Sequence, residues 1–170
     1  TRLSLISTSI TEIEQLQNKY CPYCDSVIYE QAILKAQNYN RKADIKINLV
    51  SASVKMGEEY LAKLIDELVD NALKYSPKGK EVYIYSSIQQ DYYFLTIHDQ
   101  GLGIPQKYMN HIDSYIQFDR QSNEQQGLGL GLGIIFKIVD LHNGYIEIES
   151  EQNKFTKIMI KIPIAKNLVL

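Results

Sequence analysis

The sequence has few cysteines, few prolines and no long apolar run. Of its 170 residues, 2 are Cys, 4 are Pro and 9 are Gly, while 45% are hydrophobic. This composition excludes collagen, a coiled-coil fibre and wholesale disorder, and a domain of this length buries enough surface to fold without a disulfide. Apolar stretches such as 134–136 and 162–165 are far shorter than the roughly 20 residues of a membrane span, so we expect no membrane contact by this segment. The chain begins at Thr1 without the features of a secretory signal, which predicts a fragment of a cytoplasmic protein.

Charge of neither sign dominates the chain. Eighteen basic residues stand against 20 acidic ones, which gives a net charge of -2, and no long block of one sign interrupts the mixture. Affinity for duplex nucleic acid comes mostly from clustered Lys and Arg that neutralise phosphates. We therefore expect no nucleic acid partner.

The two cysteines stand in the string Cys21-Pro22-Tyr23-Cys24, which is similar to the redox motif of glutaredoxins. A redox site of that kind needs a strand before the first Cys, whereas residues 8–19 are typical of a polar helix or linker. A zinc site needs two further ligands, and the three histidines are distant and unclustered. We therefore expect two ordinary thiols near the start of a helix.

Hydrophobic periodicity predicts alternating helices and strands. Residues 1–22 fit the end of an amphipathic helix, and further predicted helices are 25–41, with Asp25 as its N-cap, 57–75, and a Gly-opened helix at 128–141. Predicted strands are 44–49, 81–87, 92–98, 145–150 and 155–162. The Gln-, Asn- and Ser-rich stretch 106–126 is typical of a mobile lid or a disordered insert. The last four strands form two closely connected pairs, so we predict an α+β sandwich with helices on one face of a mixed sheet.

Polar residues cluster on one face of the predicted helix 57–75. At about 100° per residue, Glu67, Asp70, Asn71 and Lys74 share one arc, and the apolar residues take the other side. A solvated face with an Asp70–Lys74 pair would explain most such patterns. Asn71 argues for a site, because it is a poor helix former and its amide oxygen suits Mg²⁺. Lys74, one turn on, is placed to meet phosphate charge.

Two glycine-rich segments accompany this helix. Asp99-Gln100-Gly101-Leu102-Gly103 follows a predicted strand, and its glycines would let the backbone approach a flat ligand while the carboxylate accepts a hydrogen bond. Residues 127–134 alternate Gly with apolar residues and lead into a helix, whose first amides form a natural phosphate site. Either segment alone is weak evidence for a binding site. The order and spacing of the two segments after the helix make that evidence stronger.

Together these segments resemble the ATP-binding catalytic domain of two-component sensor histidine kinases, in the wider family that contains gyrase, Hsp90 and MutL. The N box is similar to residues 67–76, the G1 box to 99–104 and the G2 box to 127–134. An F-box-like element lies at 115–120, and residues 117–120 together with 124–127 are especially similar to kinases joined to receiver domains. The resemblance covers about residues 25–164. It implies a two-layer α/β sandwich, the Bergerat fold, with about three helices on one face of a mixed sheet of about five strands.

The resemblance also implies roles for particular residues. Glu67, Asn71 and Lys74 would act in catalysis, with Asn71 and Glu67 as Mg²⁺ ligands and Lys74 facing phosphate. Tyr75 would pack along the adenine of ATP, and Asp99 would accept a hydrogen bond from its amino group. The other residues of the ATP site would be Gly101, Gly103, Ile104, Arg120, Gly127, Leu128, Gly129, Leu130 and Gly131, with residues 106–126 as the lid.

The phosphoacceptor histidine of a complete kinase is missing. His98, His111 and His142 are expected to be structural or lid residues, so the domain would donate the γ-phosphoryl group to a histidine on a dimerisation domain outside this chain. The receiver domain of a response regulator would be a further partner. On this interpretation residues 1–22 are a linker or the tail of a dimerisation helix, 23–165 the ATP-binding domain and 166–170 a C-terminal tail.

Two other functions stay open. The first is ATP hydrolysis with Glu67 as general base on water, as in other members of the wider family. The second is a non-catalytic interaction module, which Leu128 favours slightly because the family usually has Ser or Thr there. Residues 151–154 replace a Gly-rich turn of the family, and we expect this difference to matter only for the turn.

Overall fold

The computed structural model describes residues 10–118 and 131–166, which form five α-helices and five strands. The helices are α1 (Ile10–Gln17), α2 (Cys24–Asn38), α3 (Glu58–Lys74), α4 (Gln106–Phe118) and α5 (Leu132–Leu141). The strands are β1 (Ile45–Asn48), β2 (Val82–Gln89), β3 (Tyr92–Asp99), β4 (Tyr145–Glu151) and β5 (Phe155–Pro163). Within these described parts, no helix has both the length and the apolar character needed to cross a bilayer.

The five strands form one mixed sheet in the order β1-β2-β3-β5-β4. Strand β1 pairs parallel with β2, and the other neighbours pair antiparallel. Helix α2 contacts β1, α3 contacts β3, and α5 contacts β4, while α3 also packs against both α2 and α5. The predicted α+β sandwich, with three helices packed on a five-stranded mixed sheet, is confirmed.

Helix α3 lies at the centre of the core. Seven of its residues, spaced three and four apart, are buried, which is the pattern of an amphipathic helix facing a sheet. Gly57 occupies the N-cap position in an extended conformation and Tyr75 the C-cap position. Glu58 and Glu59 lie in the first turn, where a negative charge is favoured by the helix dipole. The predicted helix 57–75 is therefore confirmed, with its two end residues acting as caps.

Helix α2 is shorter than predicted at its C-terminal end. Its N-cap position is Tyr23, so Asp25 lies in the first turn and is not the cap. The helix ends at Asn38 because Asn40 adopts a left-handed conformation with φ 53°. The Arg41 amide then donates to the Ala36 carbonyl (2.8 Å) and closes the helix. Asn40 thus takes the left-handed position that glycine usually occupies at the end of a helix.

The stretch 106–126 contains a helix where a lid or a disordered insert was predicted. Residues 106–118 form α4, which buries Met109 and Ile112 in the core. These two apolar residues, three apart, hold one face of a helix whose other residues are mostly polar, so average composition hides it. The remainder of the predicted insert lies outside the described residues. The predicted start of the last helix at Leu128 does too, and α5 begins at Leu132 after Gly131.

The segment that precedes α2 contacts the sandwich. The Cys21 and Val54 backbones exchange two hydrogen bonds of 2.9 Å, and Gln17 Nε2 donates to the Leu141 carbonyl at the end of α5 (2.9 Å). Both cysteines are free and fully buried. Burial raises the pKa of the Cys24 thiol to about 11, and a redox nucleophile needs a thiolate. Burial of both thiols agrees with two ordinary packed cysteines, and the absence of a redox role stays a prediction.

Candidate functional site

A cavity of about 440 Å³ opens between α3 and the sheet, beside the loop that follows β3. Most of its wall is apolar, and a few polar side chains point into it. Its lining comprises Leu68, Asn71, Ala72, Tyr75, Ile97, Asp99, Leu102, Gly103, Ile104, Pro105, Tyr108, Leu132, Gln152, Asn153, Thr156 and Ile158. An apolar slot with few convergent polar groups is the usual form of a small-molecule site.

The polar residues of α3 face two different parts of the molecule, the cavity and helix α2. Asn71 lines the cavity, whereas Asp70 faces α2 and accepts a hydrogen bond from Tyr39 Oη (2.7 Å). Lys35 of α2 lies 3.8 Å from the same Asp70 oxygen. The Asp70 carboxylate therefore helps to join α3 to α2, and the Asp70–Lys74 pair considered from the sequence is replaced by these contacts. Lys74 Nζ lies 5.5 Å from the centre of the Tyr75 ring.

Glu67 lies one turn before Asn71, outside the residues that line the cavity. Its Oε1 forms an ion pair with Lys63 Nζ (2.7 Å), and its side chain is 17% exposed. Its Oε2 faces Gly131 at the start of α5, so closely that an added Cβ at Gly131 would come within 2.7 Å of it. The Glu67 side chain thus extends from α3 to Gly131, the residue before α5.

Asp99 ends β3 and is held by backbone amides. The Gly101 amide donates to Asp99 Oδ1 (2.9 Å), and the Thr156 amide of the neighbouring β5 also donates to this carboxylate. The side chain is 5% exposed. Burial raises the pKa of Asp99 to about 6, although both amides and the charge of Arg41 act in the opposite direction. At pH 7 the cavity therefore contains a mostly ionised, acceptor-only carboxylate.

The loop after β3 needs glycine because backbone approaches it from two sides. A Cβ at Gly101 would collide with the Tyr75 carbonyl oxygen, and the next amide, that of Leu102, donates to this oxygen (2.9 Å). Gly103 has φ 64°, and a Cβ there would collide with the Glu151 carbonyl oxygen. Because the contacting atoms are backbone, no side-chain movement would relieve either collision. The loop is thereby wedged between the end of α3 and the β4–β5 turn.

The β4–β5 turn contributes more than the sequence suggested. Its Asn153 amide donates to the Leu102 carbonyl (2.6 Å), and Ser150 Oγ accepts from the Ile104 amide (2.7 Å). Gln152 and Asn153 line the cavity, so the expectation that this departure matters only for the turn is wrong. The reason is the antiparallel pairing of Asp99 with Thr156. That pairing places the start of β5, and the turn before it, beside the end of β3.

The site residues predicted from the sequence fall into three groups by their position relative to the cavity. Asn71, Tyr75, Asp99, Gly103 and Ile104 line the cavity. Glu67, Lys74, Gly101 and Gly131 lie outside its lining, although Gly101 contacts Asp99 and Gly131 contacts Glu67. Arg120, Gly127, Leu128, Gly129 and Leu130 lie outside the described residues. The role of each residue stays a prediction.

The donor set suits Mg²⁺ only as part of a complex with a phosphorylated ligand. Within 10–118 and 131–166 no group of three His, Cys, Asp or Glu side chains could enclose a metal ion. Asn71 offers one amide oxygen, and Glu67 is the acidic residue one turn away from it. Mg²⁺ usually keeps several waters and is held by few protein oxygens together with phosphates. The residues present fit that kind of binding.

Two of the three histidines are packed into the fold. His142 is 2% exposed, and its Nδ1 lies 2.7 Å from the Ile138 carbonyl oxygen. His98 packs edge-on against the Phe155 ring at 5.5 Å. Burial lowers the pKa of both imidazoles. His142 is therefore a buried structural residue, His98 is half-buried on the sheet, and His111 lies exposed on α4. That none of the three is the phosphoacceptor stays a prediction.

Comparisons with known proteins point to one family. A profile described as "Histidine kinase-, DNA gyrase B-, and HSP90-like ATPase" matches residues 56–166. The signal transduction histidine-protein kinase ArlS of Staphylococcus epidermidis is 34% identical over 113 residues, which are 65% of this chain and 25% of that protein. ArlS of Staphylococcus aureus (strain USA300) is 33% identical over 129 residues, 75% of this chain and 29% of that protein. This chain thus spans about a quarter of the length of these curated relatives.

Solved structures show the same architecture. The mycobacterial sensor histidine kinase MprB has a TM-score of 0.67 at 25% identity, and the match covers 88% of this chain and 99% of that one. The histidine kinase domain of the Escherichia coli osmosensor EnvZ has a TM-score of 0.67 at 24% identity, with 91% and 93% covered. The match to EnvZ, at 24% identity, shows the fold alone.

Proposed function

Because this chain belongs to the histidine kinase-, DNA gyrase B- and HSP90-like ATPase family, as a catalytic domain of the histidine kinase type, we propose that it binds Mg-ATP in the described cavity. From there it donates the γ-phosphoryl group to a histidine outside this chain. The observation that carries the proposal is Asp99, a buried carboxylate in an otherwise largely apolar slot.

The Asp99 end of the cavity suits adenine. An ionised carboxylate only accepts hydrogen bonds, and the adenine amino group is a donor. Leu68, Ala72 and Ile158 offer apolar walls to a purine ring, and the ring of Tyr75 lies at the same cavity. Because backbone amides hold the Asp99 carboxylate, the fold itself fixes its position. Such preorganisation lowers the ordering cost of binding.

The Asn71 end suits the phosphates. Asn71 would hold Mg²⁺ through its amide oxygen, with Glu67 one turn away, and the ion would neutralise charge on the triphosphate. Lys74 is exposed at the end of α3 and would meet phosphate from there. Phosphoryl transfer depends mainly on positioning and charge neutralisation, so the domain needs no covalent residue of its own.

The acceptor and the partners lie outside the described fold. His142 is buried in the sandwich and His98 packs against the Phe155 ring, which leaves both poorly placed to attack a γ-phosphate held near Asn71. The acceptor is a histidine on the dimerisation domain of the parent kinase, and a response regulator receiver domain takes the phosphoryl group next. Helix α1 would be the tail of the dimerisation helix. Since ATP is the donor, we place the domain in the cytoplasm.

One observation favours ATP hydrolysis as a second candidate function. The Oε2 atom of Glu67 lies close to Gly131, while its Oε1 atom pairs with Lys63. A carboxylate in that position would serve as a general base on water if the triphosphate approached the start of α5. The ion pair with Lys63 opposes this role, because it holds the other oxygen of the same carboxylate.

Labelled ATP separates the two candidates. The chain is incubated with γ-labelled ATP and Mg²⁺, alone and with the dimerisation hairpin of its parent protein. We expect acid-labile label on the hairpin, none on the chain alone, and little free phosphate. Steady release of phosphate without the hairpin would support hydrolysis instead. Label on the chain alone would contradict an acceptor outside it. The Asn71→Ala variant is the control for signal that does not depend on the site.

A further inference from the structure

A buried arginine outside the cavity holds the chain on which the cavity is built. Arg41 is 4% exposed and precedes a short 3₁₀ helix, Lys42–Asp44, that leads into β1. Its five guanidinium N–H groups make six hydrogen-bond contacts, because one Nη1 hydrogen is shared between two acceptors, so its buried charge is fully partnered. The bonds run from Nε to Asp44 Oδ2 (2.6 Å), from Nη1 to Leu73 O (2.7 Å), Ser76 O (2.8 Å) and Ser76 Oγ (3.1 Å), and from Nη2 to Pro77 O (2.9 Å) and Lys80 O (3.0 Å).

Five of these six bonds reach one segment, residues 73–80, which connects α3 to β2. The last carbonyls of a helix have no partner inside it, and Arg41 supplies one for Leu73. Asp44 Oδ2 adds a bond from the Gly79 amide (2.9 Å) to the same segment. The Arg41 bond and the Gly79 bond hold the pKa of Asp44 below its usual value. We call the Arg41 and Asp44 side chains with their bonds to residues 73–80 the Arg41 clamp.

The clamped segment contains a wall of the cavity. Tyr75 lies between Leu73 and Ser76, the two residues whose carbonyls bind Arg41 Nη1, and it lines the cavity. The Tyr75 carbonyl accepts from the Leu102 amide (2.9 Å) and lies against Gly101. The Gly101 amide in turn holds Asp99 Oδ1 (2.9 Å). An unbroken series of contacts therefore runs from Arg41 to the carboxylate.

We propose that Arg41 is a positioning residue for the nucleotide site: it sets the place of Tyr75 and, through the Tyr75 carbonyl, the loop that orients Asp99. The inference rests on the proposed function for its ligand, but its geometry does not. A guanidinium is planar and presents its donors at fixed angles, so it fixes several carbonyls relative to one another. A lysine would keep the charge at Arg41 and lose this geometry. Supporting contacts of this kind decide how accurately binding groups are held.

The test compares Arg41→Lys with the wild type and with a control, Lys46→Gln. Lys46 lies nearby in β1 but is 49% exposed, and its Nζ is 3.7 Å from Glu81. At a temperature where circular dichroism shows all three proteins folded, we measure hydrogen exchange of the Leu102 amide and titrate ATP with Mg²⁺ by calorimetry. Arg41→Lys should speed exchange at Leu102 relative to the β5 amides, and should weaken ATP binding, each by about tenfold or more. The control should change neither.

A purely structural role predicts a different result. Loss of global stability alone would speed exchange at Leu102 and in β5 together, and would leave the affinity of the folded protein for ATP unchanged. That result would overturn the proposal. If Arg41→Lys does not fold, Asp44→Asn replaces it, with a smaller effect in the same direction, and wild-type exchange at Leu102 in that variant would also overturn the proposal.

Failure of the proposed function gives its own result. If the wild type binds no ATP, the nucleotide assignment fails, while exchange at Leu102 still tests the Arg41 clamp. If the wild type binds ATP and Arg41→Lys binds it equally well, only the positioning role fails.

Discussion

Acidification should weaken ATP binding through Asp99. The pKa of this buried carboxyl is raised to about 6, so its ionised fraction falls from about nine-tenths at pH 7 to about one-tenth at pH 5. The protonated carboxyl has lost its charge and presents a donor, which suits the adenine amino group poorly. If only the ionised form binds, the apparent Kd rises by the same ratio, roughly tenfold over these two pH units.

Calorimetric titration from pH 8 to pH 5 measures this change, with Asp99→Asn as the matched control. Asparagine has nearly the same shape and does not titrate, so the variant reports the protonation of ATP itself and of every other group. The wild-type curve should fall below pH 6.5 relative to the variant curve, with a midpoint near pH 6. Parallel curves for the two proteins would refute the reasoning, because they would show that ionised Asp99 does not bind the nucleotide.

Three further predictions concern single substitutions. In the unliganded domain, the free energy of unfolding of the wild type relative to Asp99→Asn should rise by up to ~3 kcal/mol as pH falls from 7 to 4, because a raised pKa means that burial of the charge costs stability above pH 6 and that this cost disappears towards pH 4; a difference that does not change with pH would contradict this. Asn71→Ala should keep the fold and remove the part of the ATP affinity that depends on Mg²⁺, so equal titrations of both proteins with metal would end the assignment of Asn71. Gly101→Ala should weaken ATP binding, since its methyl group would collide with the Tyr75 carbonyl. The control, Gly57→Ala, should leave ATP binding unchanged, because its methyl group would meet the Lys19 side chain only at ordinary contact distances of 3.4 Å and 3.5 Å. Unchanged ATP binding by Gly101→Ala would show that the loop has room to move.

Much of the fold could be predicted because its signals are local. The three-and-four spacing of α3 and the alternation of β5 depend on neighbouring residues only, and the elements appear close to their predicted bounds. Helix α4 was missed because Met109 and Ile112 give it too small an apolar face to stand out from polar neighbours.

The site was harder to predict because it depends on which elements become neighbours. The helical arc correctly placed Asp70 and Asn71 on one face of α3. Asp70, however, contacts Tyr39 and Lys35 at helix α2 and does not line the cavity. Gln152 and Asn153 reach the cavity only because β5 pairs with β3 in one register. Arg41 stands alone in a polar stretch, and its six bonds all depend on tertiary contacts except the one to Asp44. Each of these features needs a partner that is distant in sequence.

Competition between ATP and GTP tests most directly whether Asp99 in this cavity reads the adenine ring. Guanine carries a carbonyl where adenine carries its amino group, so GTP would set one acceptor against another in a buried place, at about 1 to 3 kcal/mol or more. The wild type should therefore prefer ATP by at least about tenfold, and Asp99→Asn, whose amide offers either a donor or an acceptor, should lose most of that preference. Equal affinity of the wild type for the two nucleotides, or an unchanged preference in Asp99→Asn, would contradict the account.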